Sequence, residues 1–82
     1  MRPRWRPTVA MHPVMDRLIT DLHRIRRVRM ITRVELAKLT GIDRSRIGKI
    51  ERKQLKDMTF WTISKLADAL DYEFQISLRR KP

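Results

Sequence analysis

The 82-residue sequence predicts a mostly α-helical domain, in which four short helices are followed by one C-terminal β-strand. Three observations lead to this prediction. Apolar residues recur at helical spacing in two segments, and capping residues and a glycine delimit two shorter helices between them. Near the C-terminus the spacing changes to strict alternation. The length predicts one domain with a small core.

The first helix is predicted from about Pro13 to Arg29. Proline suits the first turn of a helix, where no backbone donor is needed. An apolar face at i, i+3, i+4 and i+7 spacing is formed by Met15, Leu18, Ile19, Leu22 and Ile25. Arginines crowd the last turns, where cations complement the helix dipole. Met30 and Ile31 are predicted to form the corner into the second helix.

The second helix is predicted to begin after Thr32. Thr32 and Glu35 have the T-x-x-E spacing of a capping box, in which each side chain satisfies a free N–H of the other residue. Leu36 and Ala37 then face inward. Gly41 can take the positive φ that ends the helix.

The third helix is predicted to be amphipathic, with Asp43 as its N-cap. Ile47 and Ile50 form its buried side. Its exposed side, by helical spacing, consists of Arg44, Ser45, Gly48, Lys49 and Arg52. A short helix held by its neighbour, with cations and a small hydroxyl outward, suits insertion into a DNA major groove. The alternative is a solvated helical hairpin with ordinary surface charges.

A fourth helix is predicted to follow a loop at residues 53–58, with Thr59 as its N-cap and Leu70 as its end. Its apolar face is formed by Phe60, Ile63, Leu66, Ala67 and Leu70. Trp61 lies off that face. We predict that it contacts a second copy of the chain, and the alternative is edge packing against a loop.

The C-terminal segment is predicted to be a strand. Tyr72, Phe74, Ile76 and Leu78 alternate with polar residues, which is the period of a half-buried strand. A lone strand leaves its backbone donors and acceptors unpaired, and the same strand of another copy is the simplest partner. We therefore predict a two-stranded antiparallel sheet across a homodimer. A helical continuation is the alternative.

The charge predicts a polyanionic partner. Lys and Arg number 20 against 9 Asp and Glu, a formal charge of +11, and nucleic acid is the first choice. An anionic membrane is the alternative, but the periodic apolar residues are needed for the core, and no run approaches the about 18 apolar residues of a membrane span. The absence of cysteine excludes disulfides and thiolate metal sites and fits a reducing cytoplasm.

The N-terminal residues 1–13 contain three Arg, three Pro and no acidic residue. We predict an extended, disordered arm, because proline removes donors and disfavours helix at the preceding position. Arg2, Arg4 and Arg6 are candidates for contacts along phosphates or in a minor groove. The alternative is a solvated tail produced by an upstream start codon, with Met11 as the other start.

Three motifs resemble the lambda-repressor-like, or xenobiotic-response-element-type, helix-turn-helix family. Residues 32–37 (TRVELA) are similar to its T-Q-x-E-L-A, residues 43–51 (DRSRIGKIE) to its recognition helix S-x-x-T-I-S-R-I-E, and residues 62–67 (TISKLA) to its T-L-x-K-I-A. The chain departs from the family pattern at three positions, which are Thr40 for an aliphatic residue, Gly48 for Ser and Met30 for a frequent Gly.

The resemblance implies that Arg44, Ser45 and Lys49 read bases, and Arg or Lys donors suit O6 and N7 of guanine, so G-containing half-sites are expected. The residues expected to bind phosphates are Thr32, Arg33, Arg46, Arg52, Lys53 and Lys56. Arg26 and Glu51 match a family pair that forms a salt bridge between the first and third helices, and the alternative is two exposed charges.

The predicted function is that of a homodimeric transcriptional repressor that binds double-stranded DNA at an inverted repeat. No metal is expected, since His12 and His23 lack partners at metal-ligand spacing. No enzyme activity or cofactor is expected, because the sequence shows no Gly-rich phosphate loop and no nucleophile–base arrangement. The predicted divisions are a basic arm (1–13), a helix-turn-helix DNA-binding domain (14–70), a dimerisation strand (71–79) and a tail (80–82). The expected location is the cytoplasm, on the nucleoid when bound to DNA.

The C-terminal strand resembles that of HipB-type antitoxins, in which two such strands cover the dimer. This resemblance implies an autoregulating antitoxin of a type II toxin–antitoxin pair, with a toxin protein as a further partner. The first alternative is a stand-alone phage or chromosomal repressor. The second is a basic RNA-binding or structural protein.

Overall fold

The computed structural model describes residues 13–55, 58–73, 75 and 77–82. Its helices are α1 (Pro13–Val28), α2 (Arg33–Thr40), α3 (Arg44–Glu51) and α4 (Phe60–Ala69). The prediction of four helices is confirmed, and each of the two longer helices ends one residue earlier than expected. None of the described helices is long and apolar enough to cross a bilayer.

The boundaries of α2 are set by the predicted capping residues. The Thr32 N–H donates to Glu35 Oε1 at 2.8 Å, and the Glu35 N–H donates to Thr32 Oγ1 at 3.0 Å. Gly41 ends the helix with φ 77°, and its N–H donates to the Ala37 carbonyl at 2.8 Å. Since the capping box and the glycine act locally, they set the residues at which α2 begins and ends.

Thr40 shows how a polar residue replaces an aliphatic one at the end of α2. It is buried, and its hydroxyl donates to the Leu36 carbonyl at 2.8 Å and accepts from the Ile42 N–H at 3.1 Å. Both hydrogen-bonding functions of the hydroxyl are therefore used, so that its burial leaves no unsatisfied group.

The other three helices end on a non-glycine residue in the left-handed conformation. These residues are Met30 after α1, Lys53 after α3 and Asp71 after α4, with φ values of 58°, 59° and 69°. After α1, the Met30 N–H donates to the Arg27 carbonyl and the Ile31 N–H to the Arg26 carbonyl, which is the Schellman pattern. The same pattern recurs after α3 and α4.

The core lies between the four helices and is almost entirely aliphatic. Its buried members are Met15, Ile19, Leu36, Ile47, Ile50, Ile63, Leu66 and Leu70. Phe60 departs from the predicted apolar face of α4, because as the first helical residue it stays 48% exposed. α3 is held by packing against both α1 and α2.

No strand is seen in the described part of the segment that follows α4. Tyr72 is exposed and Leu78 is completely so, while Phe74 and Ile76 lie outside the described residues. A strand requires hydrogen bonds to a neighbouring strand, and the described part of this chain offers it none. The fold prediction is thus correct for the helices, whereas the strand and its pairing across a homodimer stay predictions.

Candidate nucleic-acid interface

α3 presents one buried and one exposed side. Ile47 and Ile50 are each 1% exposed and anchor the helix in the core. Arg44, Ser45 and Lys49 are all exposed on the helix. The structure therefore brings the three residues expected to read bases onto the solvent side of one short, firmly anchored helix.

The Asp43 carboxylate orients the start of α3. It accepts from the Ser45 N–H at 2.9 Å and from the Ser45 hydroxyl at 2.7 Å. These hydrogen bonds, led by the one from the hydroxyl, lower the pKa of Asp43 below its usual 3.8, so it is ionised at neutral pH. Because the hydroxyl proton of Ser45 is used by Asp43, the lone pairs of its oxygen remain for a donor on a base, such as an exocyclic amine.

Gly48 was expected on the exposed side of α3 but is buried. The guanidinium of Arg52 covers it, and Nη1 lies 3.1 Å from the place where a Cβ of residue 48 would stand. The Arg52 Nε also donates to Gln54 Oε1 at 3.3 Å. Helical spacing alone gave the correct side of the helix for both residues, but it could not show that one covers the other.

Glu51, at the end of α3, is a hub that joins three parts of the fold. Its side chain is only 7% exposed. Arg26 of α1 donates to both of its oxygens, from Nε at 2.6 Å and from Nη2 at 3.0 Å. Arg33 of α2 donates from Nε at 2.8 Å, and His23 Nε2 lies 3.6 Å away. Arg26 and Glu51, the pair implied by the resemblance, are therefore in direct contact.

The surroundings of Glu51 favour its charged form. Burial acts to raise the pKa of the carboxyl, but hydrogen bonds from Arg26 and Arg33 and the nearby cationic groups outweigh it and lower the pKa below the usual 4.5. Arg26 also donates from Nη1 to the Ile31 carbonyl at 2.7 Å. The ion pair thus fastens the corner between α1 and α2 as well as the end of α3.

The residues expected to bind phosphates have different local contacts. The Thr32 N–H is used by Glu35, and the Nε of Arg33 is used by Glu51, which leaves the terminal nitrogens of Arg33 for other acceptors. Arg46 is exposed on a flank of α3. Lys53 is held against α1, since its Nζ donates to Thr20 Oγ1 at 2.7 Å and lies 3.0 Å from Asp16 Oδ1.

Four of the predicted residues cannot be compared with the structure. Lys56 and the arm residues Arg2, Arg4 and Arg6 lie outside the described residues. The assignments of these side chains to phosphates or to a minor groove stay predictions.

A surface cleft between the end of α1 and the start of α2 collects further cations. Thr32 and Arg33 line it together with His23, Arg26 and Arg27. Arg27 belongs to the arginines at the end of α1, for which the sequence indicated only an interaction with the helix dipole. The capping signal at Thr32 could have found this cleft, because it starts α2 directly beside the basic last turn of α1.

Two aromatic residues of the predicted dimer contact share a surface on the outer side of α4. Trp61 is 66% exposed, and Lys65 Nζ lies 4.8 Å from its ring centroid. Tyr72 lines the same shallow cleft, with Arg29 Cζ 5.4 Å from its ring centroid. Both residues therefore line one surface cleft, and their contact with a second copy stays a prediction.

No group of three or more His, Cys, Asp or Glu residues suited to a metal ion occurs in the described ranges.

In comparison with protein families, residues 22–76 match a family model described as helix-turn-helix. No curated protein and no solved structure shows a significant match to the chain. The matched range begins within α1 and contains all of α2, α3 and α4.

Proposed function

The chain belongs to the helix-turn-helix family of DNA-binding transcriptional regulators, and on that basis we propose that it is a sequence-specific repressor. Its target would be double-stranded DNA, with α3 in the major groove. The observation that carries this proposal is the two-sided character of α3. Ile47 and Ile50 fix the helix in the core, and the opposite side offers two cations and a hydroxyl to base edges.

Arg44 and Lys49 are proposed to donate to guanine, and Ser45 to accept from an exocyclic amine. Arginine and lysine suit the O6 and N7 acceptors of guanine in the major groove. The hydrogen bond from the Ser45 hydroxyl to Asp43 supports the acceptor role, because it leaves the hydroxyl oxygen as the group that faces a base donor. Half-sites that contain guanine are the expected consequence.

Phosphate contacts are proposed for Arg33 and Arg46, on either side of the base-reading residues. The terminal nitrogens of Arg33 supply donors beside the N-terminus of α2, where the helix dipole also favours an anion. Arg46 supplies an exposed charge on the flank of α3. Lys53 is a weaker candidate than the sequence indicated, because its ammonium group is already bonded to α1.

The proposed active form is a homodimer on an inverted repeat, with two recognition helices about 34 Å apart. The exposed aromatic residues Trp61 and Tyr72 support a contact between copies, since aromatic side chains are enriched in such interfaces. Occupation of a promoter by the dimer would exclude polymerase, which is repression without a cofactor.

An antitoxin role stays a prediction without support from the described residues. It was based on a C-terminal strand, and the described part of the segment after α4 contains none. We propose repression of transcription as the primary role, and the autoregulating antitoxin and the stand-alone repressor are its two alternatives. Copurification with the product of a neighbouring gene that encodes a toxin would favour the antitoxin.

The test is selection of duplexes from a random DNA library, followed by footprinting on DNA upstream of the gene. The expected result is an inverted repeat with guanine in each half-site, protected over two successive major grooves. Arg44→Ala should cost about 1–3 kcal/mol on the selected duplex and much less on random duplex. Arg24→Ala is the matched control, because it removes one exposed charge from α1. Equal weakening on both duplexes by Arg44→Ala would contradict the assignment.

A further inference from the structure

Arg52, the C-cap of α3, continues the middle of the exposed side of that helix. At about 100° per residue, it falls between Arg44 and Lys49 around the helix axis, opposite the buried isoleucines. Its side chain begins at the C-terminal end of α3, where a contact with the DNA backbone is the ordinary expectation. The position around the axis, however, is that of a residue that faces the floor of the groove.

The absence of a side chain at Gly48 lets the side chain of Arg52 lie along the helix surface. The two residues are one turn apart in the same row, and a long side chain on a helix points back towards the N-terminus. With no side chain at position 48, the guanidinium lies directly over the backbone, with Nη1 3.1 Å and Nη2 3.5 Å from the place of a Cβ. The charge is thereby carried about one turn towards Arg44 and Ser45, the end of α3 that reaches base edges.

The guanidinium of Arg52 also differs from the charged groups of Arg26 and Lys53 in its ion pairs. Arg26 and Lys53 each form an ion pair with a carboxylate, whereas Arg52 forms none with the carboxylates in the described ranges. Its Nε donates to the neutral Gln54 Oε1 at 3.3 Å, which orients the plane without neutralising the charge. Within the described ranges, the two terminal nitrogens are left as the planar donor pair that matches O6 and N7 of guanine.

We propose that Arg52 is a specificity-determining residue, which reads a guanine in the major groove from a seat formed by Gly48. This proposal rests on the proposed function and deepens it, by moving Arg52 from the phosphate contacts to the base contacts. Gly48 is then a positioning residue, because a Cβ there would stand 3.1 Å from Nη1 and a larger side chain would occupy the space of the guanidinium.

The test compares base preferences of the wild-type protein, Arg52→Ala and Arg52→Lys by competition among single-base variants of the selected duplex. Arg52→Ala should lose about 5- to 150-fold of discrimination at one base pair of each half-site and keep the preferences elsewhere, whereas Arg52→Lys, whose ammonium group also donates to guanine, should lose only part of it. Lysine keeps the charge but lacks the planar donor pair, so a phosphate contact would survive this change in full and a guanine contact only in part. Uniform weakening by Arg52→Ala, with wild-type behaviour of Arg52→Lys, would overturn the proposal.

A chemical probe identifies the atom that is read. Replacement of the guanine at that base pair by 7-deazaguanine removes the N7 acceptor. It should weaken binding of the wild type and leave Arg52→Ala unaffected. Equal weakening of both proteins would assign the guanine to another side chain and overturn the role of Arg52.

Gly48→Leu tests whether Gly48 positions the guanidinium of Arg52. Leucine is a good helix former that fills the space under the guanidinium. The variant should lose the preference at the same base pair, and the addition of Arg52→Ala should cause no further loss there. Circular dichroism checks that α3 is kept. Unchanged preference with weaker binding to all duplexes would contradict the positioning role. A wild-type protein with no base preference at all would instead refute the proposed function, so the two failures are distinguishable.

Discussion

Met30 has a side chain but adopts a backbone conformation that favours glycine. It closes α1 with φ 58°, a conformation that costs a residue with a Cβ about 1 kcal/mol or more. Its side chain is 87% exposed, so little packing compensates. Met30→Gly should therefore raise the free energy of unfolding by about 1 kcal/mol, measured by urea denaturation at neutral pH.

Gly41 provides the control for Met30, because it is the glycine that already occupies this conformation. A Cβ at Gly41 would meet no atom within 4 Å, so Gly41→Ala tests the backbone alone. This substitution should destabilise the protein by about 1 kcal/mol. If Met30→Gly had no effect while Gly41→Ala was destabilising, Met30 would owe its conformation to contacts that offset the strain.

The residues that were predictable without the family resemblance act on their near neighbours, whereas the pair of Arg26 and Glu51 was implied by that resemblance. Thr32 and Asp43 cap helices through hydrogen bonds that span two or three residues, so their roles are visible in the sequence. The burial of Gly48 and the attachment of Lys53 to α1 were not visible. The first depends on the rotamer of Arg52, and the second joins residues that are 33 positions apart.

At the scale of the helices, Glu51 is the link that keeps α3 at its angle to α1 and α2. Glu51→Gln would leave Arg26, whose side chain is 11% exposed, without its counter-charge. The expected loss is roughly 3 kcal/mol in the free energy of unfolding at neutral pH. Arg24→Ala removes a largely exposed ion pair and should cost less than 1 kcal/mol, which makes it the matched control.

The Glu51 carboxylate is also expected to make the free energy of unfolding decrease as the pH falls. The pKa of Glu51 is lower in the folded protein than its usual 4.5, so the unfolded chain takes up the proton first. Its contribution to stability is complete above pH 4.5 and is lost as pH falls from there through the folded value.

Urea denaturation between pH 7 and pH 3 measures this contribution as the difference between wild type and Glu51→Gln. The gap should narrow as the pH falls, because the variant has no proton to gain at position 51. Glu35 and Asp43 also have lowered pKa values, but they are present in both proteins and cancel in the difference. A gap that stays constant over this range would show that Glu51 does not act through its charge.

At the scale of the whole molecule, the sequence predicted the helices better than the C-terminal segment. The helices carry their own signals, which are caps at the starts of α2, α3 and α4 and apolar residues at helical spacing in α1 and α4. The alternation from Tyr72 to Leu78 is a signal of a different kind, because a strand forms only with a hydrogen-bonding partner. Whether such a pattern becomes a strand depends on a second chain, which one sequence cannot specify.

Self-association is therefore the last prediction, and Trp61 is the residue on which it depends. Sedimentation equilibrium of the wild type should give twice the 9.9 kDa mass of the chain. Trp61→Ala should shift the protein towards the monomer and keep its helix content, since this ring is 66% exposed in a single chain. Leu39→Ala is the control, an apolar residue of α2 that is 64% exposed. A wild-type monomer at concentrations that saturate the operator would refute the dimer, and a Trp61→Ala dimer as tight as wild type would move the contact elsewhere.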